Sequence, residues 1–308
     1  MSIIEQAAQR LEQLRNAGIE VPETTMVRGD NARASVSHAG AAAADIFRPA
    51  KRAESTQTAS SEHPRKASKH VDIDLNRLRL AGFVTPDAPR SRIADEFRVI
   101  KRPLISNSQG RSAAPIARAN LIMVTSSEPR EGKSFVALNL AMSISMEVDN
   151  TVLLVDGDVI APSLLKMMGL SASKGLIDLL VDPSLDPSDT LLRTNVDRLT
   201  ILPSGTRHER ASEFLASEAM GRLIEDLASR YPDRIIVFDS PPLLATTESR
   251  VLASHMGQIV LVVRADGTSR GAVQESVKML EQCPVVATVL NGASESEVGS
   301  YFDSGDYR

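Results

Sequence analysis

The clearest indication of the fold is the segment Leu121-Ile-Met-Val-Thr-Ser-Ser-Glu-Pro-Arg-Glu-Gly-Lys-Ser134. The segment opens with a short apolar run, passes through Gly132-Lys133-Ser134, and leads into a helical pattern that begins near Phe135. Such a turn between a strand and a helix directs backbone N–H groups into a concavity, with a helix N-terminus behind it. This is the P-loop pattern with Ser127 at the usual first glycine, and it predicts a phosphate-binding loop.

The residue types in this loop suit the phosphates of ATP and an accompanying Mg²⁺ ion. Lys133 is predicted to neutralise the β- and γ-phosphates, and the Ser134 hydroxyl to ligate the metal. Glu131, Gly132 and Phe135 complete the predicted nucleotide-binding segment. A chance match to Gly-Lys-Ser is common, but a match placed directly between a strand and an amphipathic helix is not.

Further apolar runs alternate with helical patterns along the chain. The runs are Leu121–Val124, Val152–Val155, Leu199–Leu202, Ile235–Phe238, Ile259–Val263 and Val285–Leu290. Runs that are apolar at consecutive positions and separated by helices are typical of a parallel sheet covered on both faces. The sequence therefore predicts a doubly wound α/β domain, with ligands beyond the carboxyl ends of its strands.

Three aspartates follow two of these runs, where a buried strand ends. Asp156 and Asp158 come after the second run, and Asp239 comes after the fourth. A charged residue at such a point is costly unless it is solvated, paired or near a metal. Asp239 is predicted to hold Mg²⁺ directly or through water. One of Asp156 and Asp158 would orient or deprotonate the attacking group while the other, taken as Asp158, supports the metal. A capping or turn role is the alternative for any one of them alone.

Composition narrows the class of protein. The net charge of −4 gives no argument for a nucleic acid or an anionic membrane as partner. The single cysteine, Cys283, excludes an internal disulfide and fits a reducing compartment. The sequence contains no transmembrane-length apolar run and no signal-peptide pattern. We therefore expect a cytoplasmic protein whose membrane contact, if any, comes through a partner.

Composition also divides the chain into five parts. An amphipathic helix is predicted over 1–20, either for a partner or for docking on its own domain. Residues 21–70 are poor in large apolar side chains and are predicted to be a disordered linker. A helical segment over 71–118, with a helix from 92 to 102 that ends before Pro103, precedes a domain over 119–291. A flexible tail over 292–308 carries Tyr301 and Tyr307, two of the three tyrosines.

The P-loop, Asp156-Gly-Asp158 and the run that ends in Asp239-Ser-Pro-Pro together resemble the Walker A, A′ and B motifs of bacterial tyrosine kinases. That family belongs to the wider MinD/ParA-type ATPases, and the resemblance covers about 90–308. The start Met1-Ser-Ile-Ile-Glu, the linker and the segment Ser240-Pro-Pro-Leu-Leu-Ala-Thr-Thr-Glu resemble, more narrowly, the exosortase-associated tyrosine autokinases of exopolysaccharide loci.

This resemblance implies an activity and a set of partners. It implies ATP-dependent, Mg²⁺-dependent phosphorylation of Tyr301 and Tyr307 between subunits of a homo-oligomer. It implies a membrane-embedded polysaccharide chain-length regulator that recruits the chain to the inner face of the plasma membrane, and a phosphotyrosine phosphatase. Asn291 matches the position that contacts the adenine base in the family; a plain strand-end cap is the alternative.

A further match precedes the P-loop. The pattern Asp95-x-x-Arg98-x-x-Lys101 resembles the Glu-x-x-Arg-x-x-Arg motif that joins subunits of the family into a ring. A spacing of three predicts that these side chains share one helical face and form intersubunit ion pairs. An ordinary solvated charged face is the alternative.

Two other functions stay open. The sequence also departs from the family at three points, one of which is a tail cluster of only two tyrosines, Tyr301 and Tyr307. A positioning ATPase of the MinD/ParA type is one alternative, although Glu128 stands where such ATPases carry a second lysine. A nucleotide-binding scaffold of the polysaccharide machinery is the other. Arg130 replaces a usual glycine and would be strained if the loop requires a positive φ there. The segment Val159-Ile-Ala161 lacks the arginine usual after the second aspartate.

Overall fold

The computed structural model describes residues 69–230 and 233–293 of the chain. The predicted helix over 1–20, nearly all of the predicted linker, and both tail tyrosines, Tyr301 and Tyr307, lie outside the described residues. Among the described residues, no helix combines the length and the apolar character that crossing a membrane requires.

One sheet of eight strands organises the described part of the chain. The strands are β1 (Lys69–Val71), β2 (Leu121–Ser126), β3 (Thr151–Asp156), β4 (Leu192–Thr194), β5 (Leu199–Leu202), β6 (Arg234–Asp239), β7 (Gln258–Arg264) and β8 (Val285–Asn291). The α-helices are α1 (Leu75–Leu80), α2 (Arg92–Ser108), α3 (Lys133–Ser145), α4 (Leu164–Met167), α5 (Leu176–Val181), α6 (Ala211–Leu215), α7 (Glu218–Arg230), α8 (Glu248–Ser254) and α9 (Arg270–Met279).

The strand order is β1-β4-β5-β3-β6-β2-β7-β8. Neighbouring strands are parallel except for β4 and β5, which are antiparallel. The predicted doubly wound, mostly parallel sheet is therefore confirmed, and each of the six predicted strands is present. Because β3, β6 and β2 are adjacent and parallel, their carboxyl ends meet at one edge of the sheet.

The sheet is covered on both faces because its strands are apolar at consecutive positions. In β2, Ile122 and Val124 belong to the core on one face, whereas Leu121 and Met123 belong to the core on the other. Helix α3 packs on the first face against β2, β3 and β6, and α2 packs on α3 from outside. Helix α3 is therefore enclosed on two sides, which explains why nearly all of its residues are buried.

Helix α2 is longer than predicted, since it continues through Pro103 to Ser108. A proline inside a helix removes one backbone hydrogen bond, so tertiary contacts must hold the second half of the helix. Leu104 is buried there, and Gln258 donates from Nε2 to its carbonyl oxygen at 3.0 Å. Asn107 donates to Gln258 Oε1 at 2.8 Å. The segment over 71–118, which the sequence separated from the domain over 119–291, thus packs on the same sheet.

Candidate active site

The loop between β2 and α3 has the backbone that a phosphate cradle needs. Gly132 stands at the N-cap of α3 with φ of 96°. A Cβ on Gly132 would lie 2.0 Å from Nδ2 of Asn291, so no other residue fits there without movement. Asn291 Nδ2 in turn donates to the carbonyl oxygen of Glu131 at 2.9 Å. Asn291 was predicted either to contact the adenine base or to cap a strand end. In the structure it lies against the phosphate loop and supports it.

The Glu131 side chain holds the shape of the loop from within. It is only 3% exposed, and it accepts a hydrogen bond from the backbone N–H of Glu128 at 2.9 Å. The hydroxyl of Thr268, in the loop after β7, donates to its other oxygen. Because both carboxylate oxygens are occupied, a contact of Glu131 with a nucleotide would come from its backbone. Thr268 has no local sequence signal, and sequence reasoning missed it.

The side chains of Ser127 and Phe135, at the two ends of the loop, also contact the rest of the protein. Ser127, at the usual first glycine, is buried, and its hydroxyl accepts a hydrogen bond from Ser276 of α9 at 2.8 Å. The Phe135 ring packs against Phe83 with centroids 4.9 Å apart. The predicted nucleotide contact of Phe135 therefore rests on its backbone and not on its ring.

Arg130 has a φ of 67°, which is the left-handed conformation that favours glycine. Its side chain is exposed, so little packing would be lost on removing it. We expect Arg130→Gly to stabilise the fold by about 0.5–1 kcal/mol, because relief of the left-handed strain exceeds the added entropy of the unfolded chain. Urea unfolding of both proteins measures the change.

Arg111 supplies the matched control for that substitution. It is an exposed loop arginine that is not among the residues with positive φ. Arg111→Gly should lower the free energy of unfolding, since only the entropic effect remains. Equal effects of the two substitutions would show that Arg130 is not strained.

The three predicted aspartates converge at the carboxyl ends of β3 and β6. Asp156 and Asp239 are register partners on these adjacent strands. Asp158 follows two residues later, and its Oδ2 lies 2.8 Å from Nζ of Lys133. All three aspartates are buried. Lys133 and the carboxylates therefore form one charged cluster beside the phosphate loop.

Burial makes the charged forms of two of these aspartates unfavourable. Burial, together with the charges of Asp239 and Asp158, raises the pKa of Asp156 to about 8. Burial also raises the pKa of Asp239 to about 7, although Lys133 and the Ser134 hydroxyl oppose the shift. Neither oxygen of Asp239, nor Oδ1 of Asp156, meets a hydrogen-bond partner of normal geometry among the described residues. Buried acceptors without donors are rare, so the cluster is suited to an additional cation.

The donor set fits Mg²⁺ bound together with a nucleotide. Within residues 69–230 and 233–293, no group of three or more His, Cys, Asp or Glu is arranged to hold a metal by itself. Mg²⁺ binds through one or two carboxylates and fills its other positions with water and substrate phosphates. Asp239 and Ser134 provide the oxygen atoms for such a site, next to a loop that suits the phosphates.

The predicted oligomer motif on α2 divides into two parts. Asp95 and Arg98 are partly exposed and paired with each other. Lys101 is only 4% exposed, and its ammonium donates to the Ser143 carbonyl oxygen at 2.5 Å and pairs with Glu147 at 2.7 Å. The prediction that all three side chains share one helical face is therefore wrong for Lys101. Each step of three residues turns a helix by about 300°, so the third member lies about 120° from the first.

Lys101 has a different position from the one the motif suggested. Ser143 belongs to the last turn of α3, where carbonyl groups lack helical partners and carry the negative end of the helix dipole. The ammonium of Lys101 satisfies one of these carbonyls. Lys101 thus joins α2 to the carboxyl end of the helix that begins at the phosphate loop.

Several known proteins are similar to this chain in sequence or in fold. No family model matches the chain. It is 27% identical over 219 residues to the putative tyrosine-protein kinase CapB of Staphylococcus aureus, covering 70% of this chain and 91% of that protein. It is 31% identical over 193 residues to the tyrosine-protein kinase Wzc of Salmonella typhimurium, covering 62% of this chain but 26% of that longer protein.

A solved structure extends the comparison. The kinase domain of VpsO matches with a TM-score of 0.53 and 27% identity, over 66% of this chain and 100% of that domain. The match therefore covers the whole of a kinase domain. The chain is a homologue of the bacterial tyrosine kinases, and it has the P-loop fold of their kinase domains.

Proposed function

We propose that this chain is an ATP-dependent protein-tyrosine autokinase that phosphorylates Tyr301 and Tyr307 between subunits and regulates exopolysaccharide biosynthesis and export. The observation that carries the proposal is the convergence of Lys133 with Asp156, Asp158 and Asp239 beside the phosphate loop. The homologues that share this domain are tyrosine kinases. That likeness favours tyrosine transfer over a positioning ATPase or a scaffold.

The loop would hold ATP through its backbone and through Lys133. Gly132 keeps the loop open, and the N-terminus of α3 directs N–H groups toward the phosphates. Lys133 would exchange its 2.8 Å contact with Asp158 for the β- and γ-phosphates. Asp239, Asp158 and Ser134 would hold Mg²⁺, which neutralises charge that develops on the phosphates when it is bound.

We propose different roles for Asp156, the last residue of β3, and for Asp158. Asp158 is engaged with Lys133, and its Oδ1 accepts the backbone N–H of Ala161 at 3.0 Å. Asp156 instead lines an open cavity and keeps Oδ1 without a partner among the described residues. These two observations support Asp156 as the group that accepts the phenol proton. The tyrosine oxygen would bond to the γ-phosphorus as the bond from phosphorus to ADP breaks.

The proposed partners are supported by the family resemblance and by the exposed residues of helix α2. Asp95 and Arg98 are exposed enough to meet a second subunit in a homo-oligomer, whereas Lys101 acts within its own subunit. We propose a membrane-embedded chain-length regulator that recruits the chain to the inner face of the plasma membrane. A phosphotyrosine phosphatase would reverse the labelling. The narrower kinship with exosortase-associated autokinases stays a prediction.

One experiment tests the activity. Purified protein is incubated with ATP and Mg²⁺, and phosphotyrosine is mapped by mass spectrometry. We expect phosphate on Tyr301 and Tyr307, because both stand in an acidic segment that follows β8 in the sequence. Release of phosphate without phosphotyrosine would point to an ATPase. Labelling confined to Tyr231 would show that the tail is not the acceptor.

A further inference from the structure

The cavity that Asp156 lines adjoins the charged cluster. It has a volume of about 570 Å³ and opens between α4 and the loop that follows β5, with Asp156 in its wall. Its size lies within the range of ligand pockets. None of the phosphate-loop residues lines it. Of the residues of the proposed reaction centre, Asp156 alone lines the cavity.

The cavity is basic at its rim. Lys166, Lys174 and Arg207 line it, and all three are exposed. None of the three lies within ion-pair distance of a carboxylate in the described part of the chain. The only acidic residue in the wall is Asp156. The rim thus offers three cations around one buried carboxylate.

Hydrogen bonds fix the wall of this cavity. Asp178 accepts the backbone N–H groups of Gly175 at 2.8 Å and of Thr206 at 2.9 Å, and so ties the segment of Lys174 to the loop of Arg207. Gly175 packs so closely on that loop that a Cβ would lie 2.0 Å from the carbonyl oxygen of Pro203. The basic side chains are therefore mounted on a prearranged backbone.

The sequence contains a segment of complementary charge. Residues 294–308 carry four carboxylate side chains and a single basic one. The acids stand beside the tyrosines, since Asp303 is two residues after Tyr301 and Asp306 directly precedes Tyr307. In an extended chain such neighbours lie about 3–7 Å along the backbone. A tyrosine that reaches Asp156 would bring its flanking carboxylate onto the basic rim.

We propose that this basic cavity is the acceptor subsite, and that it selects tyrosines flanked by acidic residues, supplied by residues 294–308 of a second copy of the chain. The inference rests on the proposed kinase function. In the step, the tyrosine Oη–phosphorus bond forms, the bond from the γ-phosphorus to ADP breaks, and the phenol proton passes to Asp156. Lys166, Lys174 and Arg207 bind the flanking carboxylates and take no part in the transfer.

Two synthetic peptides test the selectivity. The first has the sequence of residues 301–308, and the second carries Asp303→Asn and Asp306→Asn. The enzyme is the full chain with Tyr301→Phe and Tyr307→Phe, so that its own tail is not labelled. We expect kcat/KM to be about tenfold higher for the acidic peptide, the ratio that two partly exposed ion pairs give. This comparison does not depend on the folding of any variant of the cavity.

Variants of the three basic rim residues test whether the cavity causes the selectivity for the acidic peptide. Lys166→Gln, Lys174→Gln and Arg207→Gln together should bring the ratio of the two kcat/KM values to about one. The control is Lys278→Gln with Arg222→Gln, which removes exposed cations outside the cavity and should keep the ratio. Equal use of both peptides by the parent enzyme, or an unchanged ratio in the triple variant, would overturn the inference. Labelling of no tyrosine in any peptide or in the wild-type chain would instead overturn the proposed function.

The concentration dependence of self-labelling tests the source of the segment. If a second copy supplies it, the labelled fraction per minute of wild-type chain rises with protein concentration below the level at which the copies associate. If each chain labelled its own tail, the fraction would be constant with dilution. That second result would overturn the assignment to a second copy.

Discussion

Lys133→Met should lower tyrosine labelling by about 10³-fold or more. The ammonium of Lys133 is held at the carboxyl edge of the sheet, 2.8 Å from Asp158. In the proposed function it is the charge that meets the transferred phosphoryl group. Loss of one such preorganised group costs about 10²–10³ in rate even where it is a neutral donor. Gly132 and the N–H groups of the loop are unchanged, so nucleotide should still bind. Phosphotyrosine mapping and calorimetric titration with ATP measure the two effects.

Two controls separate loss of charge from loss of structure. Lys278→Met removes an exposed lysine of α9 outside the site and should leave labelling unchanged. The Lys133→Met chain also keeps its tail, so an active chain should label it when the two are mixed, provided that transfer occurs between molecules. Labelling of Lys133→Met alone at the wild-type rate would place the active site elsewhere.

The fold could be predicted where the pattern is local and long enough. β2 and β6 are buried along nearly their whole length, and their apolar runs identify them without knowledge of their neighbours. β1 and β4 have three residues each and include Lys69, His70 and Arg193, so no apolar run marks them. Their strand character comes from pairing with each other and with β5. The continuation of α2 through Pro103 likewise depends on contacts with a distant strand.

The candidate site likewise has parts that local sequence predicts and parts that depend on contacts between distant residues. The phosphate loop is a contiguous segment, and the aspartates end recognisable strands, so the sequence locates each of them. Glu131 contacts Thr268, and Ser127 contacts Ser276, in each case across more than one hundred residues of sequence. A local sequence pattern does not predict such contacts. Lys101 matched a motif by spacing, but burial decided its partners.

The cluster of buried aspartates also lowers the stability of the folded chain. Asp156 and Asp239 are buried side by side, and three of their four carboxylate oxygens lack a hydrogen-bond partner of normal geometry among the described residues. Residues that are held in unfavourable surroundings and lie in a cleft are characteristic of functional sites. Substitutions that remove charge here should therefore act on activity and on stability in opposite directions.

Asp239→Asn is the clearest case, and it should lower tyrosine labelling by about 10²-fold or more. Asparagine keeps the shape of the side chain but replaces one anionic oxygen with an amide, so the site loses a ligand suited to Mg²⁺. Labelling is measured at saturating ATP over a range of Mg²⁺ concentrations. We expect the Mg²⁺ concentration for half-maximal labelling to rise, which a loss of fold alone would not produce.

The stability of the same variant provides the control. Asp239 is fully buried, and burial raises its pKa to about 7, so near neutral pH the folded chain contains a carboxylate that its surroundings disfavour. A neutral amide removes that cost, and the melting temperature of Asp239→Asn without nucleotide should equal or exceed that of the wild type. Inactivity with a raised or unchanged melting temperature would place Asp239 in the chemistry. A melting temperature lowered by several degrees would show that the carboxylate supports the fold, and wild-type labelling in the variant would remove Asp239 from the metal site.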